Sequence, residues 1–339
     1  MAWRYLLLPL APLYRSAVAV RGSAYRRGWL RRAGLPVPVI SVGNLTFGGT
    51  GKTPTVVALV RDLIRLGRRP AVLTRGYRRN DDRLAVVMGP TPRQRADEVG
   101  DEPLEMARRL PGVPIVVDAN RERGGNEAVR LGADVVVLDD GFQHLRLERD
   151  LDVVLIDAGD PWGGGRLPPL GRLREPVAAL SRADAVVITK VPADWRPVVA
   201  AIEAEIDRAA PTLQVFVSRV VASRLRRPDG AWVEPGELAG RRVFAFAGVG
   251  RPGGFVDTLR ETAAEVVGER WFPDHHPYTA GELAELAAAA EAVDAVPVTT
   301  AKDAVKLPVG GPVWVVEVEM VPVEGSWKGL WRLLPEVSE

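Results

Sequence analysis

The sequence predicts an α/β protein, with a parallel sheet between helical layers, a second and smaller α/β/α lobe, and a two-stranded β linker. Short apolar runs alternate with stretches of helical spacing, and a glycine-rich turn follows the first run. The same alternation begins again late in the chain. At 339 residues the chain exceeds the usual single-domain size, and 47% hydrophobic with 26% charged residues describes a globular protein.

The first strand candidate is Val37–Val42, ending at Gly43. After the glycine-rich turn, Pro54–Leu66 places Val57, Leu59, Val60, Leu63 and Ile64 at helical spacing. Further strand candidates are Ala71–Thr74, Val113–Val117, Asp134–Leu138, Leu151–Ile156 and Ala185–Thr189, with helix-like Glu102–Leu110 and Glu127–Leu131 between them. Runs that are apolar on both faces and alternate with helices belong to a parallel sheet. After a helix over Val198–Ala209, Leu213–Val221 reads as extended. The α/β pattern resumes through Arg242–Ala247, Phe255–Val267, Glu282–Ala292 and Val296–Thr299. Val313–Val321 alternates and is expected to pair with Leu213–Val221. The expected division is an N-terminal region 1–35, a larger lobe 36–212, a linker of 213–222 and 313–321, a smaller lobe 223–312 and a C-terminal segment 322–339.

The chain has no cysteine, which excludes disulfides, zinc–thiolate sites and cysteine nucleophiles. The net charge of +2 conceals an asymmetry: residues 1–61 hold eight arginines and Lys52, and the first carboxylate is Asp62. The remaining arginines are dispersed among acids and no nucleic-acid motif is present, so no nucleic-acid partner is expected. Met1–Val20 imitates a signal peptide, but Arg15 and Arg21 interrupt it well short of a membrane span. Trp3, Leu6, Leu7, Leu10, Leu13, Tyr14 and Ala17 recur at three- and four-residue spacing among arginines, the pattern of a helix lying on a bilayer surface. Packing on the protein's own core is the competing expectation.

Gly43–Thr53 reads GNLTFGGTGKT between strand and helix, where a phosphate loop belongs, with Thr46 in place of the motif's first glycine. Thr46, Phe47, Gly48, Gly49, Thr50, Gly51, Lys52 and Thr53 are therefore the expected nucleotide contacts, with ATP as donor. Lys52 is expected on the β- and γ-phosphates and the Thr53 hydroxyl on Mg²⁺. Val135–Asp140 is an apolar run ending in two acids, the form of a metal-holding strand end. Asp101-Glu102 is a second acidic pair, and Asp274–Tyr278 holds His275 and His276.

With Thr299–Leu307 added, these segments resemble the tetraacyldisaccharide 4′-kinase family of lipid A biosynthesis. The likeness passes through Val42–Pro54, Thr74–Tyr77, Gly100–Pro103, Leu138–His144, Leu173–Pro176, Phe272–His275 and Thr299–Leu307. It implies two α/β/α lobes and transfer of the ATP γ-phosphate to the 4′-hydroxyl of a tetraacylated disaccharide 1-phosphate. The expected setting is the cytoplasmic face of the bacterial inner membrane, with a monomer held there peripherally through the N-terminal helix. By the same resemblance Asp101 is the catalytic base and His275 its partner, while Glu102, Asp139, Asp140 and Thr53 hold magnesium. Lobe closure would then assemble the site. Arg75, Arg78, Arg121, Gln143, His144, Arg172 and Arg174 are candidates for the acceptor and the transferring group. Gly248–Gly254 is similar to the family's second glycine-rich turn, with Arg251 where asparagine is more usual. Two other readings remain at this stage: a membrane-recruited ATPase or GTPase switch or metallochaperone, and a nonenzymatic membrane-adhering protein.

Overall fold

A computed structural model describes residues 10–76, 83–89, 96–249, 252–273, 276–307, 311–324 and 326–334. Helix α1 covers Leu10–Arg26. The larger half is built from β1 (Val39–Asn44), α2 (Lys52–Arg65), β2 (Pro70–Thr74), β3 (Ala85–Val87), α3 (Ala96–Val99), α4 (Asp101–Arg109) and β4 (Ile115–Val117). It continues with α5 (Arg121–Arg130), β5 (Val135–Asp139), β6 (Leu151–Asp157), β7 (Ala185–Thr189) and α6 (Arg196–Ala209). The remainder holds β8 (Gln214–Arg226), β9 (Trp232–Val233), β10 (Arg242–Ala247), α7 (Pro252–Glu261), β11 (Glu265–Trp271) and α8 (Ala280–Ala292). After these come β12 (Val296–Thr300), α9 (Ala301–Ala304), β13 (Trp314–Pro322) and α10 (Lys328–Trp331).

In the larger half β1 lies between β5 and β6, all parallel; β5 continues to β2 and β4, and β6 to β7. Their burial on both faces explains the unbroken apolar runs, because helices cover both sides. Parallel strands also bring their carboxyl ends to one edge, where ligands of such sheets bind. That edge carries the loop after β1, the acids after β5, Asp157 at the end of β6 and Lys190 after β7.

Strand β8 belongs to both parts. Its first residues pair parallel with β7, and Ser218–Arg226 pair antiparallel with β13. The pairing expected between the two late extended segments is therefore present; it is antiparallel and runs to Arg226. Beyond it, β11, β10, β12 and β13 form a parallel run.

The sequence pattern merged two elements over Phe255–Val267. Helix α7 stops at Glu261, Ala263 turns the chain with φ 59°, and the β-branched pair Val266-Val267 belongs to strand β11. Strand β3 was also missed: three residues pairing antiparallel on the sheet edge are too few to show alternation.

Candidate active site

Strand β1 delivers the chain to the loop at Asn44, whose buried side-chain amide donates to the Thr46 carbonyl at 2.8 Å and the Thr50 hydroxyl at 2.9 Å. The Thr189 hydroxyl donates to the Thr50 carbonyl at 2.8 Å, and the Lys190 ammonium donates to the Gly49 carbonyl. Asp157 Oδ2 holds Lys190 from the other side at 2.9 Å. The ends of β6 and β7 thus fix the loop from outside. Gly51 opens α2 with φ 84°, a left-handed backbone conformation that favours glycine, and the Met320 methyl lies where a Cβ would stand. No side chain caps α2. Its positive end is presented to a ligand anion.

The acids lie beside this helix end. Lys52 Nζ is 3.5 Å from Asp140 Oδ1, and Arg174 Nη1 donates to both Asp140 oxygens at 2.7 and 2.9 Å. Asp140 has φ 53°, a left-handed conformation that a non-glycine residue keeps only when its surroundings enforce it. Burial pushes its carboxyl up, but Lys52 and Arg174 outweigh that and hold it below the usual range. Asp139 is buried and accepts from the Thr74 hydroxyl at 2.9 Å. Burial and the adjoining Asp140 charge raise its carboxyl. Glu102, on the first turn of α4, is raised to about 7 by burial first and by Asp139 second, with Lys52 and Lys302 opposing. Two neighbouring acids are thus held above their ordinary range in a buried, oxygen-rich corner, which a divalent cation would relieve. Among the described residues no three His, Cys, Asp or Glu side chains form a metal cage alone. Further oxygen ligands would have to come from elsewhere.

Asp101 precedes Glu102, and its Oδ2 lies 3.6 Å from Lys306 Nζ, which follows α9 in the distal half. The two halves therefore meet at this acid. His275 and Arg78 lie outside the described residues. The adjacent His276 stacks on Phe272 with ring centroids 4.6 Å apart and meets Glu282 at 3.0 Å, so it belongs to an aromatic cluster with Tyr278.

The polar candidates divide by position. Gln143 donates to the Asn44 carbonyl at 3.0 Å and accepts from Arg174, so it braces the loop. Arg121 is buried, donating to the carbonyls of Asp118 and Asp139, which places it beneath the acid pair. Arg172 is half exposed and paired with Asp160, and Arg75 is exposed at the end of β2. His144 is lowered to about 4 by burial and then by Arg121, Arg149, Arg21 and Arg146, so it is neutral at physiological pH within a basic surround. Helix α1 reaches this region: Arg21 donates to the Gln143 carbonyl at 3.1 Å and the Tyr14 hydroxyl to the Arg174 carbonyl at 2.9 Å.

Residue-by-residue sequence reasoning overlooked Asn44, Asp157 and Lys190. Their signal was present: each is a polar side chain at the carboxyl end of an apolar strand, on the edge where the loop lies.

A family model described as tetraacyldisaccharide-1-P 4′-kinase matches residues 3–335. A tetraacyldisaccharide 4′-kinase of Anaeromyxobacter sp. (strain Fw109-5) is 47% identical over 317 residues, covering 89% of this chain and 83% of the relative. Another, from Rhodopseudomonas palustris, is 42% identical over 321 residues, covering 94% and 86%. Among solved structures, an "apo" form of LpxK from Aquifex aeolicus in complex with ATP matches with a TM-score of 0.77 at 33% identity, covering 98% of this chain and all of that one. A match across nearly the whole sequence, with a solved relative of the same architecture, establishes that this chain belongs to the tetraacyldisaccharide-1-P 4′-kinase family.

Proposed function

We infer that the protein is a kinase that transfers the γ-phosphoryl group of ATP to the 4′-hydroxyl of a tetraacylated disaccharide 1-phosphate in lipid A synthesis. The observation that carries this reading is the convergence, at one sheet edge, of an uncapped helix start bearing Lys52 with the acids of β5 and α4. Phosphoryl transfer asks mainly for positioning and charge stabilisation, and this edge supplies both.

In this account residues 46–53 cradle the β- and γ-phosphates, with Lys52 leaving Asp140 to contact them. Thr53, Asp139, Asp140 and Glu102 fit magnesium, a hard cation that takes oxygen ligands and completes its shell from nucleotide phosphates. Bound there, it would neutralise charge on the β- and γ-oxygens. Asp101 takes the proton of the sugar hydroxyl as that oxygen attacks phosphorus, with His275 as its partner. The acceptor's 1-phosphate meets the basic surround of His144 formed by Arg121, Arg149, Arg21 and Arg146, and the exposed guanidinium groups of Arg75 and Arg172 are further candidates for the acceptor. Arg78 is kept as an acceptor candidate on the resemblance alone.

Among the described residues no helix is long and apolar enough to cross a membrane. Helix α1 turns Tyr14, Val18 and Gly22 inward and leaves Leu13 and Val20 about two-thirds exposed. This supports a helix that packs on the protein along one face and rests on a bilayer along the other; action as a peripheral monomer at the cytoplasmic face of the inner membrane is proposed on the family resemblance. The activity is tested by incubating the protein with ATP, magnesium and the disaccharide lipid in detergent. One phosphoryl group added at the 4′ position per ADP formed is expected. ADP release without acceptor would favour a nucleotide switch instead.

A further inference from the structure

We propose that Lys306 is a positioning residue for Asp101, a cation carried by the distal half of the molecule that locks the acid of α4 when the halves are together. It rests on the reading of Asp101 as the base. The Lys306 side chain is 8% exposed and that of Asp101 15%, with Nζ and Oδ2 3.6 Å apart. The lysine does not reach Asp101 as a loose surface group. Its ammonium donates to Asp303 Oδ1 at 3.1 Å, and Asp303 is completely buried. The other Asp303 oxygen accepts from the Gly248 amide at 3.0 Å and the Thr300 hydroxyl at 2.9 Å. The Asp303 amide in turn donates to that hydroxyl at 3.2 Å. A loop after β10, the end of β12 and α9 thus converge on one carboxylate, whose remaining oxygen aims an ammonium at the opposite half.

Asp101 gains from such a partner. It stands at the first position of α4, after Gly100 with φ 98° and with no side-chain cap on the helix. Its carboxylate has two rotatable bonds, and proton abstraction needs the oxygen at one place relative to the incoming hydroxyl. An exposed ion pair would contribute little to that placement. This pair is largely shielded from solvent, and its cation is tethered from behind, so the ammonium holds the carboxylate in place while the halves are apposed. Lys306 therefore couples closure to the competence of the base by acting through Asp101.

The test compares wild type with Lys306→Ala, Lys306→Arg, Asp303→Asn and Asp101→Ala, using phosphoryl transfer to the disaccharide lipid and hydrogen exchange across α4. Lys306→Ala is expected to lower kcat at least tenfold with KM for ATP within twofold, and to speed exchange in residues 101–106 while α2 is unchanged. Lys306→Arg restores at least half of the lost kcat, because a cation returns to the same anchor. Asp303→Asn, in protein that melts within a few degrees of wild type, reproduces the kcat loss. Wild-type kcat and wild-type exchange in Lys306→Ala would overturn the proposal. A loss in Lys306→Ala that arginine does not recover and that falls equally on KM would overturn it as well. Wild-type turnover in Asp101→Ala would instead remove Asp101 as base, and the exchange arm would still decide whether Lys306 holds α4.

Discussion

Lys52 Nζ lies 3.5 Å from Asp140 Oδ1, so the lysine of the glycine-rich loop is held by the acid that ends the neighbouring strand. The same ammonium donates to the Asn44 side-chain oxygen at 3.4 Å, and both are partners that phosphate oxygens can replace. Lys52→Ala is expected to reduce kcat/KM by about 10²–10³-fold, the effect of removing one preorganised charge from a transition state, and to weaken ATP binding in calorimetry.

With Asp101 as the proposed base, chemistry should separate from nucleotide binding, because this residue lies on α4 and not on the loop. Asp101→Ala is expected to lower kcat by about 10²–10⁴-fold while ATP affinity stays within about twofold, and His275→Ala should share that signature. Single-turnover kinetics with saturating ATP checks both.

Glu102 gives the nucleotide-free protein a distinctive pH dependence. In the unfolded chain this carboxyl titrates near 4.5, whereas burial and Asp139 raise it to about 7 in the fold. Between those values the folded state holds the extra proton, so stability falls as pH rises and the full penalty stands above pH 7. Asp139, also raised, adds in the same direction. Glu102→Gln should therefore raise Tm at pH 8 by about 2–4 °C, with little change at pH 5. It should also weaken magnesium–ATP binding. Thermal melts at the two pH values measure the first effect.

Arg109 ties the far end of α4 to the strands joining the halves. It is buried, donates to Glu105 at 3.2 Å and to the Val318 carbonyl, and lies 3.2 Å from Glu317. Burial raises the Glu105 carboxyl and Arg109 opposes that rise. Arg109→Ala would leave the buried Glu105 without its cation, with Glu317 retaining only Arg224, at a cost of about 3–5 kcal/mol, readable in urea denaturation.

If α1 rests on a bilayer as proposed, its exposed face should separate membrane contact from catalysis. Leu13→Glu with Val20→Glu is expected to cut binding to anionic vesicles at least fivefold while transfer to detergent-dispersed acceptor remains near wild type. Vesicle co-sedimentation checks this.

Strands β1, β5, β6 and β7 were legible because burial on both faces writes a continuous apolar run, and the loop was legible because its glycines and lysine lie together in sequence. Relationships made by distant segments were not. Lys190 reaches Gly49 over 141 positions and Lys306 reaches Asp101 over a longer interval, and no local periodicity encodes either contact. Arg121 and Arg174 were candidates for phosphate contact, and the sequence could not show that one donates to the Asp139 carbonyl and the other to the Asp140 carboxylate, since composition cannot tell a guanidinium facing solvent from one packed against an acid. The division of Phe255–Val267 was hidden because Ala263 adopts a left-handed turn without the glycine that usually announces one.

The central claim is most directly tested by a crystal structure with magnesium and a nonhydrolysable ATP analogue. The β- and γ-phosphates should occupy the turn of residues 46–53, with Lys52 moved from Asp140 onto them and the γ-phosphate facing Asp101. A turn left empty under saturating analogue, or a γ-phosphate directed toward Lys190 and away from α4, would contradict the account.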